Sequence, residues 1–154
     1  MNLNYFNLPF GAQLLTWTSR TMLNGSCRTH PNKYHLVNMA FNKVGILNGS
    51  NLLKEVLFFL GKKEFFKLQH TCAQVLNNSE INLINCIEEN KKKDFNNNYY
   101  LEIWDLKCVS KSFTLATYNL ALAFNKSNLD TDLSSFLLTK NMSNTEKIIT
   151  KTLH

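Results

Sequence analysis

The chain of 154 residues has only two arginines, Arg20 and Arg28, against fifteen lysines and twenty-two asparagines. It is therefore poor in the side chain that carries most base-specific readout in nucleic-acid recognition. Its five glycines, at 11, 25, 45, 49 and 61, never approach a G-x-G-x-x-G or Walker spacing, which excludes a glycine loop that cradles phosphates. Its four cysteines (Cys27, Cys72, Cys86 and Cys108) contain no C-x-x-C pair. That removes the usual zinc-ribbon and thioredoxin-type motifs. Long apolar runs are missing too: the most apolar windows, 56–60 and 113–124, fall short of the ~20 residues that span a bilayer. Residues 1–10 lack the basic start and apolar run of a secretory signal. These absences lead to the expectation of a cytoplasmic protein whose cysteines are all reduced and bind no metal.

What is present suits a globular chain. A hydrophobic content of 44% with eleven Phe, five Tyr and two Trp supplies a core, and a chain of this length buries roughly 70% of its unfolded surface, so one domain over 1–154 is expected. The excess of Asn and Lys over Arg follows AT-rich codons, so it reports mutation pressure before it reports function. Asn-X-Ser triplets begin at Asn24, Asn48, Asn77, Asn125 and Asn141, a consequence of asparagine abundance rather than a sign of glycosylation. Charge is the uneven quantity. Residues 1–79 carry eight Lys/Arg and two Glu, while residues 80–154 carry nine Lys and nine Asp/Glu, so the whole net charge of +6 lies on the N-terminal half. Such a field favours an anionic partner.

Helix signals recur along the chain. Asn7 and Pro9 read as the start of a first helix with Phe10, Leu14 and Trp17 on one face, ending near Asn24-Gly25. Pro31 opens a second, with Tyr34, Val37, Phe41 and Val44 inward, closed by Gly45 as a left-handed cap and Ile46 as its apolar contact. A third starts after Ser50 or Asn51 and carries Leu52, Leu53, Val56, Phe59 and Leu60 to Gly61. The tetrapeptide Leu-Asn-Gly-Ser, at 23–26 and 47–50, is connector chemistry used twice and not a repeat. Residues 62–76 alternate with a period of two near 65–72, which suits a short extended segment, while Phe65-Phe66 equally suit a continuation of the preceding helix. A fourth helix begins at Asn78 or Ser79 with Glu80 in its first turn, and Glu88–Lys92 and Glu89–Lys93 stand at i,i+4. Residues 91–98 read as a solvated loop, and 99–109 as a weak helix. From Ser112, Phe113, Ala116, Leu120 and Phe124 form one stripe while Leu115 and Leu122 occupy other faces, the pattern of a helix buried on most sides. Asp130 caps a helix with Leu133 and Phe136, and Ser143 with Glu146 opens a last one. The fold predicted is all-α, a compact orthogonal bundle of six or seven short helices. Its core includes Leu14, Phe41, Val56, Phe59, Ile84, Leu120 and Phe124.

Candidate chemistry is sparse. His70, Cys72 and Cys86 are the one cluster of soft ligands, but H-x-C with thirteen residues before the next Cys lacks the close ligand pairs of a structural zinc site. Cys27 with His30 or His35 offers a thiol and a base with no spacing that selects them. Most carboxylates fall at helix caps or opposite Lys; Glu55, Glu102 and Asp105 are left over and form no pair. No catalytic, cofactor or metal residue is assigned, and the chain reads as non-enzymatic. The candidate binding residues are Lys54, Lys62, Lys63 and Lys67, a basic patch interleaved with Phe58, Phe59, Phe65 and Phe66.

Leu8-Pro9-Phe10, Leu14-Leu15, Trp17, Arg20, His30-Pro31 and Ser79-Glu80 together resemble a group of small helical bacterial proteins over the first 90 residues or so. The resemblance implies no activity. That group carries a cysteine pair near the position of Cys72, where this chain has one cysteine. The function expected is binding of another macromolecule as an accessory, adaptor or regulatory subunit. A protein partner is favoured; the alternatives are a sequence-tolerant nucleic-acid binder using the basic N-terminal half and an enzyme of unrecognised type.

Overall fold

A computed structural model describes residues 3–25 and 32–136 of the chain. These residues form α1 (Phe10–Asn24), α2 (Lys33–Lys43), α3 (Gly49–Leu60), α4 (Asn78–Asn90), α5 (Asn98–Ile103) and α6 (Ser110–Lys126), with 3-10 turns at Tyr5–Asn7 and Lys107–Val109. A helical turn begins at Ser134, where the Asp132 side chain accepts from the Ser134 amide at 2.9 Å. The all-α expectation holds, and no strand occurs among the described residues; Asn4 and Val75 form one isolated antiparallel bridge. The alternating stretch at 65–72 runs without helix or strand. Its buried residue is Phe66, whose ring meets Trp104 edge to face at 5.8 Å. Pro31, expected to open the second helix, and the helix opened by Ser143 and Glu146 lie outside the described residues; α2 is capped by Asn32, whose side chain accepts from the His35 amide at 3.1 Å.

Helix ends follow one device used three times. At the end of α2 the Ile46 amide donates to the Phe41 carbonyl at 2.9 Å and the Gly45 amide to Asn42 at 3.1 Å, with Gly45 at φ +86°. This is the Schellman arrangement, in which the left-handed residue lets two following amides satisfy carbonyls of the last turn. Leu106 to Leu101 at 2.8 Å repeats it after α5, and Leu129 to Phe124 at 2.9 Å after α6. There the left-handed positions are held by Asp105 (φ 51°) and Asn128 (φ 55°). In each case both members of the apolar contact are buried.

α6 packs on α3 and α4, α1 on α2, α3 and α4, and α2 on α3, around one hydrophobic core. Leu14, Phe41, Val56, Ile84, Leu120 and Phe124 are buried in it, as their spacing predicts, while Phe59 is only partly buried and meets Phe113 edge-on at 6.0 Å. Two glycines permit close approach: a Cβ at Gly11 would fall on the Asp130 carbonyl, and one at Gly49 on the Phe41 ring. The Ala12 amide completes the first contact by donating to Asp130 O at 3.0 Å.

Several elements depart from the sequence reading. Asn7 belongs to the preceding 3-10 turn, and Pro9 is the N-cap of α1. Phe10 faces solvent and Trp17 is half-buried; the inner face of α1 instead carries Thr16, Thr18, Ser19, Arg20 and Thr21 beside Leu15. Thr16 and Thr18 are tolerated there because their hydroxyls return to the helix's own carbonyls, Thr16 to Ala12 at 2.8 Å and Thr18 to Leu14 at 2.7 Å, whereas the buried Ser19 and Thr21 hydroxyls have no hydrogen-bond partner among the described residues. The expected i,i+4 pair Glu88–Lys92 is not formed, because α4 ends at Asn90; Glu88 meets Lys91 at 3.1 Å and accepts from Thr131 Oγ1 at 2.6 Å. α6 is buried along one side only, and Leu115, Tyr118 and Leu122 on its other side are exposed.

Candidate partner-binding cleft

The floor of one depression in the described structure is a ring of two amides and a hydroxyl. Asn90 Nδ2 donates to Asn97 Oδ1 at 3.0 Å and Asn97 Nδ2 to Thr117 Oγ1 at 3.1 Å, while the one Thr117 hydroxyl hydrogen has Asn90 Oδ1 at 3.2 Å, Thr114 O at 3.0 Å and Phe113 O at 3.2 Å as acceptors. Asn90 also donates to the Cys86 carbonyl at 2.7 Å. All three ring members are buried, so each amide must find its partners inside the protein. The ring thereby fixes the end of α4, the 91–97 loop and α6 relative to one another. Asparagine and threonine suit the task because each offers both donor and acceptor in a small volume.

Above this floor lies a cleft of about 810 Å³ between the 91–97 loop and α6. Its apolar surface comes from Phe95, Leu101, Leu115, Tyr118 and Leu122, and its cations from Lys91, Lys92, Lys93 and Lys111; no carboxylate lines it. Lys91 is engaged, donating to Leu129 O at 2.8 Å and pairing with Glu88, whereas Lys92, Lys93 and Lys111 are exposed. The α6 wall has a regular spacing. Lys111, Leu115, Tyr118, Leu122 and Asn125 follow one another by four, three, four and three residues, the period of a coiled-coil seam. Leu115 is 60% exposed and Tyr118 50%. Leu115 also borders a second groove of about 370 Å³, which it lines with Phe58, Phe59, Ser112 and Ala116, and so forms a ridge between two depressions.

The predicted basic patch is only partly assembled. Lys62, Lys63 and Lys67 line one depression of about 420 Å³ together with Glu64. Two of these cations are already occupied: Lys62 Nζ stands 3.8 Å from the Phe58 ring centroid, and Lys63 Nζ donates to Asp105 O at 3.0 Å. Lys54 lies elsewhere, over the Tyr34 ring at 5.5 Å and in the groove with Glu55 and Phe58. Summing charge by half-chain missed the C-terminal cleft because the carboxylates of that half cancel its lysines in the count while lying outside the cleft in space. The four-three spacing on α6 was the signal that could have found it.

His70, Cys72 and Cys86 do not form a common site. Cys86 is buried on α4 beside Asn90 and Asn97, His70 is exposed in the 62–76 connection, and Cys72 is disulfide-bonded, which corrects the expectation that all four cysteines are reduced. Cys86 and Cys108 are free. Among the described residues, no group of three His, Cys, Asp or Glu is placed to hold a metal ion. Of the thiol–base pairs considered, Cys27 and His30 lie outside those residues. No family model, curated protein or solved structure matches the chain.

Proposed function

We propose that this protein is a non-enzymatic binding module that docks another macromolecule in the cleft between the 91–97 loop and α6, acting as an accessory, adaptor or regulatory subunit. The observation that carries this reading is the exposed apolar seam Leu115–Tyr118–Leu122 beside exposed lysines and no carboxylate. Apolar side chains grouped at one spot with a charged rim are the composition of an interface centre. No helix among the described residues is long and apolar enough to cross a membrane. The test is affinity purification from the native cell with the full chain and with a Leu115→Asp/Tyr118→Asp variant in parallel. A macromolecule retained by the first and lost by the second is expected; identical eluates would remove the cleft from the reading.

A further inference from the structure

We infer that the occupant of this cleft is an acidic amphipathic α-helix of a partner protein, laid along α6; the inference rests on the binding reading above. Three features select that occupant. The seam repeats at a four-three spacing over residues 111–125, about 20 Å of helix, so a second helix can interdigitate along it over several turns. Leu115 is flanked by a groove on either side, the ridge-and-groove relief into which helix side chains pack. The lysines of the rim then call for carboxylates on the partner's flanks.

The same features disfavour other occupants. Symmetric pairing of two copies through this face would bring Lys92, Lys93 and Lys111 against their own counterparts. A peptide added as a strand needs an exposed sheet edge, and no strand exists among the described residues. Single-stranded nucleic acid would need successive aromatic faces for stacking. Here Phe95 is half-buried and tilted on Tyr100 at 6.4 Å, which leaves Tyr118 as the exposed ring of the cleft.

The test is panning of a phage-displayed library of random peptides of about 16 residues, long enough for four helical turns, on the immobilised full chain. An oligo(dT) of about 20 nucleotides is titrated in parallel by fluorescence anisotropy. Two variants built from exposed positions serve as controls, Leu115→Ser/Tyr118→Ser and Lys92→Glu/Lys93→Glu/Lys111→Glu, each checked for an unchanged circular dichroism spectrum. The expected result is enrichment of acidic peptides with apolar residues three and four apart, weakened about tenfold or more by either variant. Enriched peptides that are basic, that lack the spacing, or that ignore the seam variant overturn the inference. Lysine-dependent binding of oligo(dT) with no peptide enriched also overturns it but leaves the binding reading standing. Retention of neither probe overturns it as well, and the parallel purification from native cells then decides separately whether the cleft binds anything.

Discussion

Arg20 and Glu80, sixty residues apart in the chain, meet as a two-pronged ion pair sealed from water. Arg20 Nε donates to Glu80 Oε2 at 2.5 Å and Nη2 to Oε1 at 3.0 Å, while Nη1 donates to the Ala73 carbonyl at 2.7 Å. Glu80 also accepts from the Asn77 amide at 3.0 Å and the Gln69 amide at 3.2 Å, closing a capping box at the start of α4. One guanidinium and one carboxylate thus tie α1, the irregular 62–76 connection and α4 together. The geometry gives both residues a structural task.

Breaking the pair from one side should cost far more than removing it. Glu80→Ala leaves a buried guanidinium without its counter-charge, and a loss of about 3–5 kcal/mol is expected by urea denaturation. Arg20→Met with Glu80→Leu should recover a large part of that loss, since an apolar pair leaves no buried charge. A double variant as unstable as the sum of the singles would show that the pair is not energetically coupled.

Phe124 is fully buried and meets the Phe41 ring edge-on at 6.1 Å, joining α6 to α2 at the centre of the core. Phe124→Ala is expected to cost about 3–5 kcal/mol, the lost transfer of the ring plus the cavity it leaves. Leu115→Ala on the exposed side of the same helix should change stability by no more than about 0.5 kcal/mol. Thermal melts of the two variants check both the size and the sidedness of the difference.

How much of this was legible in the sequence depends on which residues set the structure. Apolar periodicity located α3 and the inner face of α6, because there packing follows the 3.6-residue stripe, and on α2 it found Val37 and Phe41 but not Tyr34, which is exposed. The Gly45–Ile46 end of α2 was readable from chemistry that needs glycine. α1 was misjudged because much of its buried face carries hydroxyls and one arginine, which hydropathy scores as surface; the partners of Thr16, Thr18 and Arg20, the helix's own carbonyls and Glu80, are set by the fold, and the buried Ser19 and Thr21 hydroxyls have no partner among the described residues. Asn97 sat in a stretch read as solvated loop for the same reason: a buried asparagine looks like any other among twenty-two. The cleft depends on which way carboxylates point, and a charge count holds no directions.

Two buried acids should set an alkaline limit to stability. Burial, and then the charge of Glu89, raise Cys86 well above its ordinary value of 9.0, against a smaller lowering by the Asn90 hydrogen bond. Burial and Glu89 also push the Tyr100 phenol above its ordinary 10.0. Both groups keep their protons in the folded state and lose them in the unfolded chain, so the unfolded chain binds fewer protons as pH rises. Their stabilisation is complete below about pH 9 and declines above it, at about 1.4 kcal/mol per pH unit for each group once its unfolded form has ionised. Urea midpoints measured from pH 7 upward should be flat and then fall, and Cys86→Ala should move the onset toward the range set by Tyr100.

The thiol count separates a disulfide-bonded chain from a fully reduced one. Denatured without reductant, Cys86 and Cys108 should titrate and Cys72 should not, and Cys72 should titrate after reduction. In the native state Cys108, which is exposed, should react first, and Cys86 only as the protein opens. Four reactive thiols without reductant would remove the disulfide at Cys72.

Asn97 connects the stability of the cleft to its shape. Its oxygen accepts from Asn90 and its nitrogen donates to Thr117 and, at 3.3 Å, to Thr114, so Asn97→Ala leaves buried polar groups on two helices short of partners. The expected loss is about 1–3 kcal/mol. It should be accompanied by faster amide exchange in the 91–97 loop, because the ring is what ties that loop to α6. Asn97→Asp keeps the acceptor but cannot donate to the threonines, so it should open the loop to a similar extent. Unchanged exchange in both variants would show that the 91–97 wall of the cleft is held by Phe95 and the Lys91 contact with Leu129 instead.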